Sequence, residues 1–420
     1  MPPVPVVISE GAFYRYELPL TAPLQLGDDE VTRRRGGLVR VETTEGHVGW
    51  GDAAPLPGFS PETLAEVEEH ARTVLPQWMG KGLPDVQRKP LEEALRARPL
   101  DASAPPSLRF AMESAMVDLA AAARPGSVAE VLGTPRRTVT LNALLPRSVA
   151  NGPAQAVRRQ EEGYRALKVK VGQGGVEDDI DRVRAIRNAL DDSVALRADA
   201  NRTWSFDEAL TFGRATEDLR ISYVEEPLAD PTRLNDLIEK TSLSVALDET
   251  TRETTPKVLF DGPNVSAVVL KPTLLGGLVK TKSWCRAAQE TDATPVLSAA
   301  YESGVGLRML VALAATGPEV PVGHSKRRLR GLLVGRPFEA GDEVVHLAGV
   351  RLREESPNLA GLDRLDVVGR GGVLPPLQGL AADALVVEVS LPLDAGHCPA
   401  VGTVVRDFDH TYCRGWKGIA

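Results

Sequence analysis

Six polar residues stand at or near the ends of six successive apolar runs between positions 165 and 300. The gaps between them are 29, 26, 23, 23 and 27 residues, which is the length of one strand, one helix and two short loops. A (β/α)8 barrel carries its active site on residues at the carboxyl ends of successive strands, so the spacing predicts this fold and a site at its mouth. The six residues are Lys170, Asp199, Glu225, Asp248, Lys271 and Ser298.

Three carboxylates, Asp199, Glu225 and Asp248, come from consecutive predicted strands. Neighbouring strands lie about 4.8 Å apart, so side chains at the same height can converge on one point. Carboxylates that close repel one another, and a divalent cation removes the repulsion. An all-oxygen set with room for water and substrate favours Mg²⁺, with Mn²⁺ as the second choice. The alternative is that each carboxylate pairs with an arginine or caps the next helix.

Lysines at strand ends on two sides of the predicted metal site suggest a substrate held between them. Lys168 and Lys170 lie two residues apart on one predicted strand, so both side chains point to the same face, towards the barrel mouth. Lys271 lies three strands beyond Asp199, across the barrel. A partly desolvated lysine near a divalent cation has a lowered pKa and can act as a base near neutral pH. A solvated pair is the alternative for Lys168 and Lys170, and it would be unusual inside a buried parallel strand.

The reaction that these groups suit is the removal of a proton next to a substrate carboxylate. A metal ion that binds this carboxylate stabilises the enediolate that forms. Arg197 lies two residues before Asp199 on the same face, where it could hold a second carboxylate of the substrate. A salt bridge among the metal ligands is an equally good role for it. The sequence therefore indicates a small-molecule carboxylate as the substrate.

The elements that must position these residues begin with an α+β domain over residues 1–130. Strands are expected over 4–18 and 36–50, with a polar, charged loop between them. A first helix is expected to start at Ser60 and Pro61, because a serine followed by proline and acidic residues is a helix-start signal. A second helix starts at Pro106, where apolar residues recur at three- and four-residue spacing.

The predicted barrel occupies residues 131–325, and a tail follows over 326–420. Eight runs rich in Val, Ile and Leu suit a parallel sheet that is buried on both faces. The tail shows no βα period; it contains a candidate strand in ADALVVEVSLPL, and it either returns to the first domain or forms a separate extension. The eight runs lie near positions 138, 166, 194, 221, 244, 265, 294 and 320.

Composition excludes several other classes of protein. The 420 residues carry a net charge of −8, which argues against binding to nucleic acid. No apolar run is long enough to cross a bilayer, and the N-terminus lacks the pattern of a signal peptide. Three cysteines without disulfide spacing indicate a reducing compartment. We therefore expect a cytoplasmic enzyme without a nucleic-acid or membrane partner; the oligomeric state is left open.

The motifs around these residues resemble those of the enolase superfamily, in particular its muconate-lactonising subgroup. That subgroup has a KxK motif after the second barrel strand and a single lysine after the sixth. The N-terminal stretch GWGDAAPLPGFSPETL resembles the o-succinylbenzoate synthase family of menaquinone biosynthesis. The barrel motifs, in order, are LKVKVG, RADAN, VEEPL, ALDET, VLKPTLLGG and LSAAYESGVGL.

The resemblance implies a barrel closed by an N-terminal capping domain, and a magnesium-dependent hydro-lyase. Its reaction would be the syn dehydration of 2-succinyl-6-hydroxy-2,4-cyclohexadiene-1-carboxylate to o-succinylbenzoate. It implies Lys170 as the base, whose conjugate acid then protonates the departing hydroxide, and Lys271 as the group that stabilises the enediolate. The implied metal ligands are Asp199, Glu225 and Asp248, and the implied supporting or substrate-contacting residues are Lys168, Arg197, Asn201 and Ser298.

Two departures from the family pattern and two alternatives remain open at this point. Ala299 and Ala300 replace small polar residues that are common in the family, which weakens the assignment of the substrate-carboxylate contacts. The tail after Gly323 does not resemble the usual C-terminal segment. An N-acylamino-acid racemase or dipeptide epimerase would use Lys170 and Lys271 as bases on the two faces of an α-carbon. The other alternative is a non-catalytic barrel used for binding.

Overall fold

The computed structural model describes most of the chain up to residue 316 and one short strand beyond it. The seven parallel strands of its main sheet follow one another in chain order, each hydrogen-bonded to the next. The described residues are 6–26, 29–82, 91–96, 103–123, 126–136, 139, 141–145, 152–262, 264–316 and 388–390. The seven strands are β4 (Ala143–Leu144), β5 (Ala166–Lys170), β6 (Ala195–Asp199), β7 (Ile221–Glu225), β8 (Val245–Leu247), β9 (Ala267–Leu270) and β10 (Thr294–Ser298).

The curled parallel sheet, with helices between its strands, is that of a (β/α) barrel, as predicted. An additional strand, β11 (Glu388–Ser390), pairs antiparallel with β10, so the candidate strand in ADALVVEVSLPL is confirmed there. The eighth predicted run, near 320, lies outside the described residues, as does the rest of the tail. The division into 1–130, 131–325 and 326–420 therefore stays a prediction.

Strand register separates the two faces of this sheet. At one level of the sheet, Arg197 pairs with Lys168 and Tyr223 on its two neighbouring strands. Two residues further along the strands, Asp199 pairs with Lys170 and Glu225. Because side chains alternate along a strand, residues two or four before a site residue share its inward face. These inner positions form their own apolar cluster, which fills the barrel beneath the site: Tyr223, Ala246, Ala267, Val269 and Val296.

The outward positions of the same strands pack against the helices in the main core. Leu167, Leu196 and Val268 are completely buried there. Apart from Lys168 and Arg197 on the inward face, both faces are therefore apolar below the mouth, which explains why the strands appear in the sequence as largely apolar runs.

Helix boundaries follow local capping signals. Thr63, Ser127 and Ser205 each form a capping box with a glutamate three residues later. Prolines occupy the first turns of three helices, where the missing N–H has no cost: α3 (Pro106–Ala122), α10 (Pro256–Phe260) and α11 (Pro272–Leu275). The helices are α1 (Leu64–Val74), α2 (Leu91–Arg96), α3 (Pro106–Ala122), α4 (Val128–Leu132), α5 (Gly152–Glu161), α6 (Val176–Ala189), α7 (Phe206–Ala215), α8 (Leu234–Lys240), α9 (Thr250–Glu253), α10 (Pro256–Phe260), α11 (Pro272–Leu275), α12 (Leu278–Glu290) and α13 (Gly304–Ala315).

The N-terminal domain is an antiparallel sheet of β1 (Ile8–Leu26), β2 (Asp29–Thr43) and β3 (Val48–Ala53), covered by α3. Two glycines of β3 let sheet and helix approach closely. A Cβ on Gly51 would lie 1.8 Å from the carbonyl oxygen of Ala111, and one on Gly49 would lie 2.3 Å from that of Ala115. Any larger residue would push the helix away from the sheet.

Three local predictions for this domain are wrong. The predicted polar loop is largely strand, because β1 and β2 form a long hairpin in which Glu17 pairs with Arg33 and Arg35 across the exposed face. The predicted strand over 36–50 is two strands, separated by a turn at Gly46, which has a φ of 84°. The first helix begins after Thr63, because the capping box with Glu66 outweighs the Ser60–Pro61 signal. The prediction at Pro106 is confirmed.

Helix α3 also joins the N-terminal domain to the barrel. The Glu113 carboxylate accepts a hydrogen bond from the backbone N–H of Val279, in the first turn of α12, at 3.0 Å. Asp118 accepts one from the Trp50 N–H of β3 and pairs with Arg308 of α13. One helix thus supplies acceptors to its own sheet and to two barrel helices.

No helix in the described part of the chain is long and apolar enough to cross a membrane.

Burial raises the pKa of Glu113 to about 7, although the N–H of Val279, the charge of Arg109 and the N–H of Leu278 act against it. Its unfolded pKa is about 4.3, so the folded state holds the proton more tightly. The free energy of unfolding should therefore fall as the pH rises from about 4.3 to about 7, by roughly 3 kcal/mol at most. We expect Glu113→Gln to remove this component in urea titrations at pH 5 and pH 8.

The control for this measurement is Glu161→Gln, at an exposed position of α5. It should unfold with the same pH dependence as the wild type. A wild type that gains stability relative to Glu113→Gln between pH 5 and pH 8 would contradict the assignment.

Candidate active site

Three carboxylates meet at the carboxyl edge of the sheet. Asp199 and Glu225 are the last residues of β6 and β7, and Asp248 follows β8 directly. Their residues are 2%, 0% and 1% exposed. Charges buried this deeply are tolerated when opposite charges lie beside them, and here three lysines do so.

Lys168 bridges two of the carboxylates. Its Nζ lies 3.3 Å from Asp199 Oδ2 and 3.5 Å from Glu225 Oε2, so both oxygens surround one point. Lys271 is paired with Asp248. Lysines from β5 and from the end of β9 thus act on the same group of carboxylates, and the charges of both reach Asp199.

Lys170 differs from the other two lysines. Its Nζ donates a hydrogen bond to Asn201 Oδ1 at 2.7 Å and lies 3.9 Å from Asp199 Oδ2. Its side chain is 28% exposed, whereas that of Lys168 is 6% exposed. Lys170 is therefore the more accessible of the two lysines on β5.

The charges of the cluster favour the ionised forms of Asp199 and Lys271. Burial acts to raise the pKa of the Asp199 carboxyl, but the charges of Lys168, Lys170 and Lys271 hold it below its usual range. Burial acts to lower the pKa of the Lys271 ammonium, but Asp248 and Glu225 together raise it well above its usual range. The six groups act as one electrostatic unit.

The donor chemistry at this edge fits a divalent cation. As the side chains stand, the described residues hold no ready-made group of three carboxylate, imidazole or thiol ligands, because the lysine ammonium groups lie among the carboxylates. A fourth carboxylate, Glu249, adjoins Asp248, and its Oε2 is buried without a hydrogen-bond partner. Burial and the charge of Asp248 raise the pKa of Glu249. The oxygens of Asp199, Glu225 and Asp248, with the unpartnered oxygen of Glu249 beside them, are the donors that such a cation requires.

The predicted supporting residues lie at different depths. Arg197 is one level below Asp199 and only 6% exposed, with its guanidinium 5.1 Å from the centre of the Tyr223 ring. Ser298 ends β10 on the inward face and is 2% exposed. Asn201 holds Lys170. Contacts of Arg197 and Ser298 with a substrate stay predictions.

Sequence reasoning did not identify Glu226, which ties together the loops after three strands. Its Oε1 accepts the backbone N–H groups of Asp248 and Thr250 at 2.9 and 2.7 Å. Its Oε2 accepts from Arg202 Nε at 3.0 Å. The signal in the sequence is the doubled glutamate of VEEPL, since two adjacent side chains cannot both face the barrel mouth.

This network holds the backbone in a costly conformation. Asn201, Arg202 and Glu226 have φ values of 45°, 59° and 42°, in the left-handed region that non-glycine residues rarely adopt. Such strain persists where surrounding contacts fix it, and it is concentrated at functional sites. Here it lies immediately after Asp199 and Glu225.

An apolar cluster at the mouth joins the N-terminal domain to the barrel. Leu56 and Phe59 of the PLPGFS loop pack with Leu274, Ala300 and Tyr301 of the barrel loops. Burial raises the pKa of the Tyr301 phenol, while the charges of Lys271 and Lys168 act to lower it. Tyr301 therefore lies within electrostatic range of the lysines and is a second residue that sequence reasoning did not single out.

Comparison with known proteins supports the relationship indicated by these motifs. Residues 8–119 match the family model described as MenC, N-terminal domain, and residues 153–349 match Enolase C-terminal domain-like. The o-succinylbenzoate synthase of Edwardsiella ictaluri is 32% identical over 312 residues, which are 73% of this chain and 86% of that protein. The o-succinylbenzoate synthase of Pectobacterium atrosepticum is 30% identical over 311 residues, 72% and 85% of the two chains.

Solved structures of similar fold include the L-Ala-D/L-Glu epimerase of Bacillus subtilis in a substrate complex. It is 25% identical with a TM-score of 0.64, over 74% of this chain and 87% of that one. A dipeptide epimerase of Enterococcus faecalis, complexed with Mg and a dipeptide, is 23% identical with a TM-score of 0.65, over 74% and 87%. The matches to both domains and to the curated relatives agree, and the chain belongs to the enolase superfamily and, within it, to the family that contains the o-succinylbenzoate synthases.

Proposed function

We propose that this protein is an o-succinylbenzoate synthase, a hydro-lyase of menaquinone biosynthesis. It would remove water from 2-succinyl-6-hydroxy-2,4-cyclohexadiene-1-carboxylate. The observation that carries the proposal is the cluster of buried carboxylates and lysines at the barrel mouth, with one accessible lysine, Lys170, at its edge. The names of the curated relatives support this choice of substrate.

Asp199, Glu225 and Asp248 would hold a divalent cation, Mg²⁺ in our proposal and Mn²⁺ as a substitute. When bound, the cation would supply positive charge to the substrate carboxylate and so favour loss of the neighbouring proton. The structures of related fold that contain Mg support a metal of this kind. The remaining steps belong to the side chains of the chain itself.

Lys170, in its neutral form, would accept the α-proton at Nζ. The hydrogen bond from Lys170 to Asn201 Oδ1 orients the amine at the edge of the cluster. The resulting ammonium would then return this proton to the departing hydroxyl group, so that the C–O bond breaks, a ring double bond forms and water leaves. Because one group performs both transfers, the proton and the hydroxyl leave from the same face.

Lys271 would remain an ammonium and stabilise the enediolate by its charge. Its ion pair with Asp248 holds it on the opposite side of the mouth from Lys170. Lys168 would keep Asp199 and Glu225 in place. A mechanism in which Lys170 is the single base is thus compatible with the ion pair between Lys271 and Asp248.

The racemase or dipeptide epimerase is the second candidate, and it is favoured by the fold similarity to the Bacillus subtilis epimerase and the Bacillus cereus N-succinyl Arg/Lys racemase. Racemisation needs a second base, and Lys271 would have to leave its carboxylate partner to serve as one. A non-catalytic barrel is a weaker candidate, because a buried cluster of charges with no function would only reduce stability.

Assays with both kinds of substrate test the proposal. The purified protein with Mg²⁺ is expected to convert the hydroxycyclohexadiene to o-succinylbenzoate, measured by chromatography of the product. In deuterated water, N-succinylamino acids are expected to react more slowly, if they exchange their α-proton at all, as followed by NMR. Epimerisation of N-succinylamino acids without any dehydration would replace the first proposal by the second.

Replacement of the base tests the role of Lys170. Lys170→Ala is expected to lower kcat for dehydration by about 10²–10⁴-fold, because the α-proton loses its acceptor. Lys170→Arg keeps the charge but not the titratable amine and should be similarly impaired. Lys257→Ala, at an exposed position of α10, is the control and should retain the wild-type kcat. A Lys170→Ala variant with near-normal kcat would exclude this residue as the base.

A further inference from the structure

Arg34 is a buried arginine in the middle of β2, far from the carboxylate cluster in sequence, and it is 4% exposed. Within the N-terminal domain its guanidinium donates hydrogen bonds to the carbonyl oxygens of Ala54 at 2.6 Å and Pro55 at 2.8 Å. From the same group, Nε donates to the carbonyl oxygen of Tyr301 at 2.9 Å, and Nη2 lies 3.5 Å from that of Ala300. One planar side chain therefore connects the start of the PLPGFS loop to the loop after β10.

The loop after β10, residues 299–303, is held at two further points. Asp52 of β3 accepts the Ser303 N–H at 2.6 Å, and it also accepts the Tyr16 hydroxyl at 2.9 Å. Glu302 accepts the Ala300 N–H at 2.7 Å. The N-terminal domain thus binds the middle and the end of a short loop that begins directly after Ser298, and Glu302 adds a hydrogen bond within the loop.

The hydrogen bond from Arg34 holds a residue whose backbone conformation is unfavourable. Tyr301 has a φ of 60°, a conformation that disfavours a bulky residue. Its side chain packs against the cluster of Leu56, Leu274 and Ala300, and so does Phe59. The charged Arg34 binds the Tyr301 carbonyl on one side, and the Tyr301 side chain packs against the apolar cluster on the other. These two contacts fix the Tyr301 side chain as a wall between the two domains at the mouth.

We propose that Arg34 is a positioning residue that holds Tyr301 as a specificity-determining wall of the substrate pocket. The inference rests on the proposed function for the identity of the substrate. The wall is apolar, with Leu56, Phe59 and Leu274 around the Tyr301 ring, and it recognises the hydrocarbon portion of a carboxylate substrate. The carboxylate itself is left to the charged cluster.

The role of this wall differs from that of the lysines. It contacts a part of the substrate that does not react, and uniform binding of such a part lowers KM without changing kcat. Loss of the wall should therefore appear in KM and in the affinity for the product, with kcat largely retained. If Arg34 had only a structural role, its replacement would lower the stability of the protein without raising KM selectively over its effect on kcat.

The test is a double-mutant cycle on the full chain with Mg²⁺. Tyr301→Gly removes the wall, and glycine adopts a φ of 60° without strain, so the variant should fold. It is expected to raise KM for the hydroxycyclohexadiene about tenfold or more, and to weaken the calorimetric binding of o-succinylbenzoate by the same factor. Tyr301→Phe keeps the ring and should stay close to the wild-type values.

Arg34→Met removes the hydrogen-bond donors and is also expected to raise KM. The KM of the double variant should be no higher than that of Tyr301→Gly alone. Arg35→Met is the matched control, because Arg35 is the next residue on β2 and its side chain is 69% exposed; its KM should be that of the wild type. Arg34→Lys replaces Arg34→Met in the cycle if thermal melting shows the latter to be unfolded.

Multiplicative effects of Arg34→Met and Tyr301→Gly, or an unchanged KM in Tyr301→Gly, would overturn the inference. A wild type that turns over N-succinylamino acids instead would refute the proposed function alone. The cycle would then be run with those substrates, and the same non-additivity would be required.

Discussion

The burial of several carboxylates at neighbouring strand ends is the constraint on which the rest of this structure depends. Asp199, Glu225 and Asp248 are almost completely removed from water, and their mutual repulsion would destabilise the barrel mouth if nothing opposed it. Lysines on β5 and after β9 lie among them and oppose this repulsion, and their charges lower the pKa of the Asp199 carboxyl. The apolar layer below, filled by residues such as Tyr223 and Val269, excludes water from beneath the cluster, which strengthens every interaction within it.

The second requirement is that the backbone hold these charges at one height. Glu226 and Arg202 connect the loops that follow β6, β7 and β8, and they maintain left-handed conformations that would otherwise relax. On the other side of the mouth, the N-terminal domain fixes the loop after β10 through Arg34 and Asp52. The charged centre is thus set by the barrel alone, whereas the wall that faces the substrate is shared by both domains. This division agrees with the range of names among proteins similar to this chain, which include an o-succinylbenzoate synthase and, by fold, an epimerase and a racemase.

The sequence predicts well which charged residues lie together at the barrel mouth, because the patterns that place them there are periodic. Strand alternation places Lys168 and Lys170 on one face, and a regular strand–helix spacing places their partners at the same edge. The polar segment of the β1–β2 hairpin has the composition of a loop because Arg33 and Arg35 are charged and exposed, and only their ion pairs with Glu17 on the opposite strand show that it is extended. Arg34 and Tyr301 are 267 positions apart, and no local pattern reports such a contact. Glu226 lies beside a predicted ligand, yet its role depends on backbone N–H groups of another loop.

The central claim is that the carboxylate cluster binds one divalent cation in preference to its own lysines. Titration with Mn²⁺, followed by electron paramagnetic resonance without substrate, measures this directly. The account predicts one saturable site per chain, and Glu225→Gln should weaken it on the order of 10–100-fold. Glu239→Gln, at an exposed position of α8, should bind as the wild type does. Absence of saturable binding, or equal affinity in Glu225→Gln, would contradict the account.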